Sequence, residues 1–117
     1  MAQTKVKPQL FTGGFNIITA LTPASTVNVD YDSAQVFTLT PTSTTTINIT
    51  DPLIGVSKYI IVTGTGNSYT LNFTVGGGAG LFNKIAGNYD DGSGVKNLIS
   101  ILCVSTNEFW YSISQTS

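Results

Sequence analysis

The residues able to do chemistry in this chain are few, and their types exclude most reactions. Its 117 residues contain no histidine and one cysteine, Cys103. Nucleophilic triads and most general-base mechanisms use an imidazole to move the proton, and a zinc site takes several Cys or His ligands. Neither can be assembled here. Cys103 sits in the apolar run ILCV, which predicts a buried thiol with no activating base, and alone it forms no internal disulfide. Asp90 and Asp91 are adjacent in YDDGSG. In a strand they would point to opposite faces, so they make a poor pair to flank a sugar ring, and the context reads as a turn. Asp30 and Asp32 alternate with apolar residues in VNVDYD and are expected to share a face. There, with loop carbonyls, they could hold calcium; a solvated strand edge is the preferred reading. GGGAG (76–80) is followed by Leu81, Phe82 and Asn83, lacks the Gly-Lys-Ser/Thr ending of a phosphate loop, and reads as a flexible contact loop. The chain is therefore expected to be no enzyme, with no catalytic residue, cofactor or metal.

The aromatic residues are more promising. In FWYSIS (109–114), Phe109, Tyr111 and Ile113 share one face of a strand, and Trp110 lies on the other with Ser112 and Ser114. The Phe109 face reads as core. Trp110 on a polar face, and Tyr89 in the glycine-rich stretch before it, are the candidates for a contact surface, because aromatic residues anchor interfaces.

The elements that must position these residues are strands. Charged residues make up only 9% of the chain, where about a quarter is usual, and Thr, Ser and Asn take their place. Thr is β-branched and suits a pleated surface. Val27, Val29 and Tyr31, then Phe37 and Leu39, then Ile47 and Ile49, then Tyr69, Leu71, Phe73 and Val75 alternate with polar residues at a period of two. YIIVT (59–63) and LISILCV (98–104) are nearly continuous apolar runs, expected to be central strands covered on both faces. Asp51–Pro52, Gly64–Asn67, Gly76–Gly80, Asp91–Gly92 and Thr106–Asn107 separate the runs, and GTGN (64–67) predicts a hairpin. These signals predict an all-β domain: an antiparallel β-sandwich or jelly roll of seven or eight strands over residues 27–117. Residues 1–26, with two Lys and no acid, predict an extended N-terminal arm.

With a hydrophobic share of 41% and a net charge of −1, the chain can build a core but repels itself weakly, which favours association. A net charge near zero argues against a nucleic-acid module, which normally shows a basic face. No apolar run reaches the roughly 20 residues of a membrane helix, and Pro8, Gln9 and Gly13–Gly14 interrupt what would otherwise resemble a signal peptide.

The succession VNVDYDSAQVFTLTPTSTTTINIT, GVSKYIIV, NSYTLNF, LISILCV and FWYSI resembles the small β-sandwich domains of tailed-bacteriophage virion proteins, found in capsid decoration proteins, head fibres and tail fibres. The resemblance covers residues 27–114 and rests on Asp30, the Thr-rich segment, Gly55 and Trp110–Tyr111. It implies a homotrimer attached to the major capsid or another virion protein through its N-terminal segment, made in the host cytoplasm. Under that reading Val6, Leu10, Phe11, Phe15, Ile17 and Ile18 would supply the apolar anchor. The alternative is a tail-fibre or adhesin module binding a host-surface glycan through the loops of residues 76–94 and Trp110.

Overall fold

The structure, a computed structural model, describes residues 17–116. These form strands and turns with no helix, so the domain is all-β. Nine strands are present: β1 (Ile18–Ala20), β2 (Thr26–Asp30), β3 (Val36–Leu39), β4 (Thr45–Thr50), β5 (Ser57–Thr63), β6 (Leu71–Val75), β7 (Leu81–Ala86), β8 (Lys96–Ser105) and β9 (Glu108–Gln115). They make a six-stranded sheet in the order β1-β3-β5-β8-β9-β7 and a three-stranded sheet in the order β2-β4-β6.

The order records a winding chain. Each strand of one sheet is followed by a strand of the other up to β7, so the backbone coils around a shared interior in the manner of a β-solenoid. Ile18 lies opposite Val36, which lies opposite Tyr59; Thr26 lies opposite Thr46, which lies opposite Asn72. A coil thus takes about 20 residues and lengthens as the chain proceeds. A strand reached after a full coil runs the same way as its predecessor. That is why β1, β3 and β5 are parallel, as are β2, β4 and β6. The antiparallel architecture expected from the period of two is therefore corrected. Between the described strands, antiparallel pairing joins only β5 with β8 and β8 with β9. The hairpin expected at GTGN is also corrected, since β5 and β6 belong to different sheets. The tight hairpin lies instead at Thr106–Asn107, between β8 and β9. That hairpin is inserted between β5 and β7, and β7 runs parallel to β9.

The core lies between the sheets. The narrow sheet contributes the rows Val27–Ile47–Phe73 and Val29–Ile49–Val75; the wide one contributes Phe37–Ile60–Ile99–Ile113. Most of these side chains are fully buried, each worth about 1.5–3 kcal/mol against exposure. Tyr31, just past β2, is wholly buried and donates its hydroxyl to the Ile101 carbonyl at 2.8 Å, tying the first complete coil to β8. A chain of rings follows: Tyr31 to Phe109, Phe109 to Phe82, Phe82 to Phe73 and Phe73 to Tyr111, with centroids 4.7–6.1 Å apart. On the outer face of the narrow sheet, Asn48 Nδ2 donates to Asn28 Oδ1 at 3.0 Å. Asn48 Oδ1 accepts from the Thr74 hydroxyl and the Gly77 N–H. This polar ladder locks the register of three strands.

The two continuous apolar runs are not covered on both sides as expected. Along β8, Ile99, Ile101 and Cys103 are buried, whereas Leu98, Leu102 and Val104 remain exposed. No layer lies over that face of the wide sheet among the described residues.

Candidate functional site

Two surfaces stand out. The first is the outer face of the wide sheet. Pairing across it sets Ile61 opposite Leu98, Leu102 opposite Trp110, and Val36 between Ile18 and Tyr59. Ile18 is 68% exposed and Trp110 46%. The Trp110 indole N–H donates to Glu108 Oε2 at 3.0 Å, and Asn83 Nδ2 donates to the same oxygen, so the ring is held in one orientation. Lys96, on the same face, donates to the Thr63 hydroxyl. The apolar residues share this pleated surface with Ser100, Ser112 and Ser114, which interrupt their rows.

The second surface is a groove. The wide sheet has three more strands than the narrow one, so beyond β6 the inner side of β9 and β7 is only partly roofed. A cleft of about 260 Å³ opens there, lined by Tyr69, Thr70, Leu71, Phe73, Lys84, Asn88, Tyr89, Tyr111 and Ile113. It adjoins a second hollow of about 350 Å³ that shares Tyr69 and Tyr89 and is lined by Gly66, Ser68, Asp90, Asp91 and Gly92. The three tyrosines are half-buried. Burial raises the Tyr111 hydroxyl above its ordinary pKa.

Asp91 builds the wall of this groove. Its carboxylate accepts the Thr65 N–H at 3.1 Å, the Thr65 hydroxyl at 2.8 Å, the Asn67 N–H at 3.2 Å, the Tyr69 N–H at 2.9 Å and the Tyr89 hydroxyl. Partial burial by itself would raise the pKa of this carboxyl. The donors, Tyr89 first, outweigh that and bring it down to about 2. Desolvation first, and then the pairing with Asp91, pushes the Tyr89 hydroxyl upward. Asp91 therefore stays ionised and fastens the 64–70 loop to the 88–92 loop. Close approach makes a glycine necessary at position 64, where a Cβ would run into the Gly92 carbonyl.

Asn97 secures the same loop from beneath. Wholly buried, its Nδ2 donates to the carbonyls of Val62 and Asp90, and its Oδ1 accepts from the Asp90 N–H and Gln115 Nε2. All of its strong hydrogen-bonding capacity is used.

The residues singled out from sequence divide between these surfaces. Trp110 belongs to the outer face and Tyr89 to the groove, so the structure does not bring the two together. Ile17 and Ile18 are exposed at the β1 edge; Val6, Leu10, Phe11 and Phe15 lie outside the described residues. Phe109 is in the core and Trp110 on the opposite face, as the alternation predicts. Cys103 is buried and its thiol pushed up by desolvation. Asp30 and Asp32 do not share a strand face. β2 ends at Asp30, whose Oδ1 accepts the Asp32 N–H at 2.8 Å in a turn. Asp51 joins them, its carboxyl raised first by a hydrogen bond with Asp30 and then by the charges of Asp30 and Asp32. Among the described residues no set of three Cys, His, Asp or Glu is arranged to hold a metal, and no helix is long and apolar enough to cross a membrane.

Sequence reasoning missed Asn97, Lys84 and Asn88, and it placed Tyr69 in a core-facing strand. No protein-family model matches this chain, and no curated protein and no solved structure shows significant similarity to it.

Proposed function

We propose that this chain is a non-enzymatic structural subunit that assembles with copies of itself through the outer face of its six-stranded sheet. The observation that carries the reading is the exposure of Leu98, Leu102, Val104 and Trp110 together on that face. Six strands about 4.8 Å apart and some 20 Å long give a flat area on the order of 500 Å². Leu98, Leu102, Val104 and Trp110 are the apolar part of that face, and exposed apolar patches rimmed by polar residues mark interaction sites. Weak self-repulsion at net charge −1 works in the same direction. The engagement of Asp91 in holding two loops, with its proton lost well below neutral pH, supports a structural role for this carboxylate over an acid–base one.

The setting we infer is a phage virion, with the chain as a trimeric capsid decoration or short head-fibre subunit attached through residues 1–26. Its support is the resemblance of residues 27–114 set out above. In this reading the two-sheet domain is the sandwich unit of that family, with its strands wound as coils.

Light scattering across a concentration series tests the assembly. The wild type should run at a multiple of the 12.3 kDa subunit mass, and the double substitution Leu98→Lys/Leu102→Lys should run as a folded monomer. A wild type that is monomeric at every concentration refutes the proposal. Deleting residues 1–16, which spares β1, should leave the oligomer intact and abolish co-sedimentation with particles; retained binding would rule out attachment through this segment.

A further inference from the structure

We infer that the groove between β6 and β9 is a binding site for neutral glycans, independent of the assembly face. Four aromatic side chains, Tyr69, Phe73, Tyr89 and Tyr111, line a cleft of about 260 Å³, a size that admits one hexopyranose ring, with room for a second in the adjoining hollow. Sugar rings present C–H faces that pack on aromatic rings, while their hydroxyls seek hydrogen bonds at the rim. Lys84, Asn88 and Thr70 supply such groups beside the tyrosines.

The walls are fixed before any ligand arrives. Tyr89 is held by its hydroxyl on Asp91, and the backbone of Tyr69 is held by the same carboxylate. Phe73 and Tyr111 pack against each other with ring centroids 4.7 Å apart, and Phe73 continues through Phe82 to the buried Phe109. Rings pinned in this way lose little freedom on binding.

Charge selects the class of sugar. Lys84 already donates to Asn88 Oδ1, while Asp90 and Asp91 line the far hollow. An anionic sugar would meet two carboxylates there; a neutral one meets Asp90 as an acceptor for its hydroxyls. Trp110 lies on the outer face of the wide sheet and takes no part.

The test is a titration of the full-length protein followed by amide chemical shifts in two-dimensional NMR. The probes are N-acetylchitotriose, cellotriose and maltotriose, with trigalacturonate as the anionic control and a proline-rich peptide as a competing class. At least one neutral trisaccharide should shift the amides of Tyr69–Leu71, Asn88–Tyr89 and Tyr111 in a saturable manner. Tyr69→Ala should weaken that binding roughly tenfold. Its side chain takes no part in holding Asp91, so the remaining spectrum should stay folded and superimposable. Tyr89→Phe, which keeps the ring but loses its hold on Asp91, should weaken binding by a smaller factor than Tyr69→Ala does. The inference is overturned by the absence of shifts with all three neutral sugars, by shifts confined to other surfaces, or by undiminished binding in a folded Tyr69→Ala. Preference for trigalacturonate would overturn the neutral class. Saturable shifts with the peptide alone would assign the groove to protein recognition instead.

Discussion

Replacing Asp91 by Asn should cost stability at neutral pH and almost none at pH 2, and the size of the difference follows from the five hydrogen bonds it accepts. The folded-state pKa is brought down to about 2 from an ordinary 3.8. For a carboxyl depressed on folding, the unfolded chain binds the proton more readily. The stabilisation is therefore complete above about pH 4 and is lost as pH falls toward 2. At about 1.4 kcal/mol per pKa unit the ceiling is about 2.5 kcal/mol. Asp91 is partly in solvent, where screening takes roughly half of that, so ~1 kcal/mol is expected. The assay is urea unfolding followed by circular dichroism, at one protein concentration, for wild type and Asp91→Asn at steps between pH 7 and pH 2.5. Subtracting the two curves cancels every other titrating group, Asp51 with its raised carboxyl included. The gap between the proteins should shrink by ~1 kcal/mol across that window. A gap that is constant with pH, or that widens as pH falls, would refute the assignment of Asp91 as the ionised fastener of the two loops.

Other substitutions probe the frame around the groove. Asn97→Ala leaves the Asp90 N–H and the Val62 carbonyl without their side-chain partner in a buried site, and should cost about 2–4 kcal/mol by chemical denaturation. Gly87 has φ +82°, and a Cβ there would meet the Ile113 carbonyl. Gly87→Ala should accordingly lower the midpoint of thermal unfolding by about 8 °C or more, at roughly 2 kcal/mol. Cys103 should resist a thiol-specific disulfide reagent in the native protein and react on adding urea, because it is buried and its thiol is pushed up by desolvation; fast labelling without denaturant would contradict its placement.

What the sequence disclosed was local. Val27, Val29, Tyr31, Phe37, Leu39, Ile47 and Ile49 all point inward as their alternation requires, because a period of two fixes faces wherever one side is buried. The same period is silent about which sheet a strand joins, so the coiled, largely parallel winding could not be read from it. GTGN looked like a hairpin because Gly and Asn fit tight turns. Its polar groups are instead committed to Asp91, 26 residues on from Thr65, and no local rule reports a partner at that distance. β7 escaped notice for another reason. Leu81 and Ile85 are exposed, and the register shifts between Lys84 and Ala86, so the strand lacks a clean alternation. The groove was illegible as a unit, since Tyr69, Tyr89 and Tyr111 come from three segments that only the finished fold assembles. The apolar runs 59–63 and 98–104 were visible, but their reading as doubly covered strands assumed a layer over the outer face. The same letters serve equally for a surface that another molecule covers.

The insertion of β8 and β9 between β5 and β7 bears on the order in which the molecule can be made. The first coils can pair as they leave the ribosome, each strand finding its neighbour already in place. β7 cannot, because among the described residues its partner strand is β9, which ends at Gln115. Until β9 emerges, Phe82 has no Phe109 to stack on, and the free edge of β8 stays open to pairing with the wrong chain. Closure of the wide sheet therefore waits for β9.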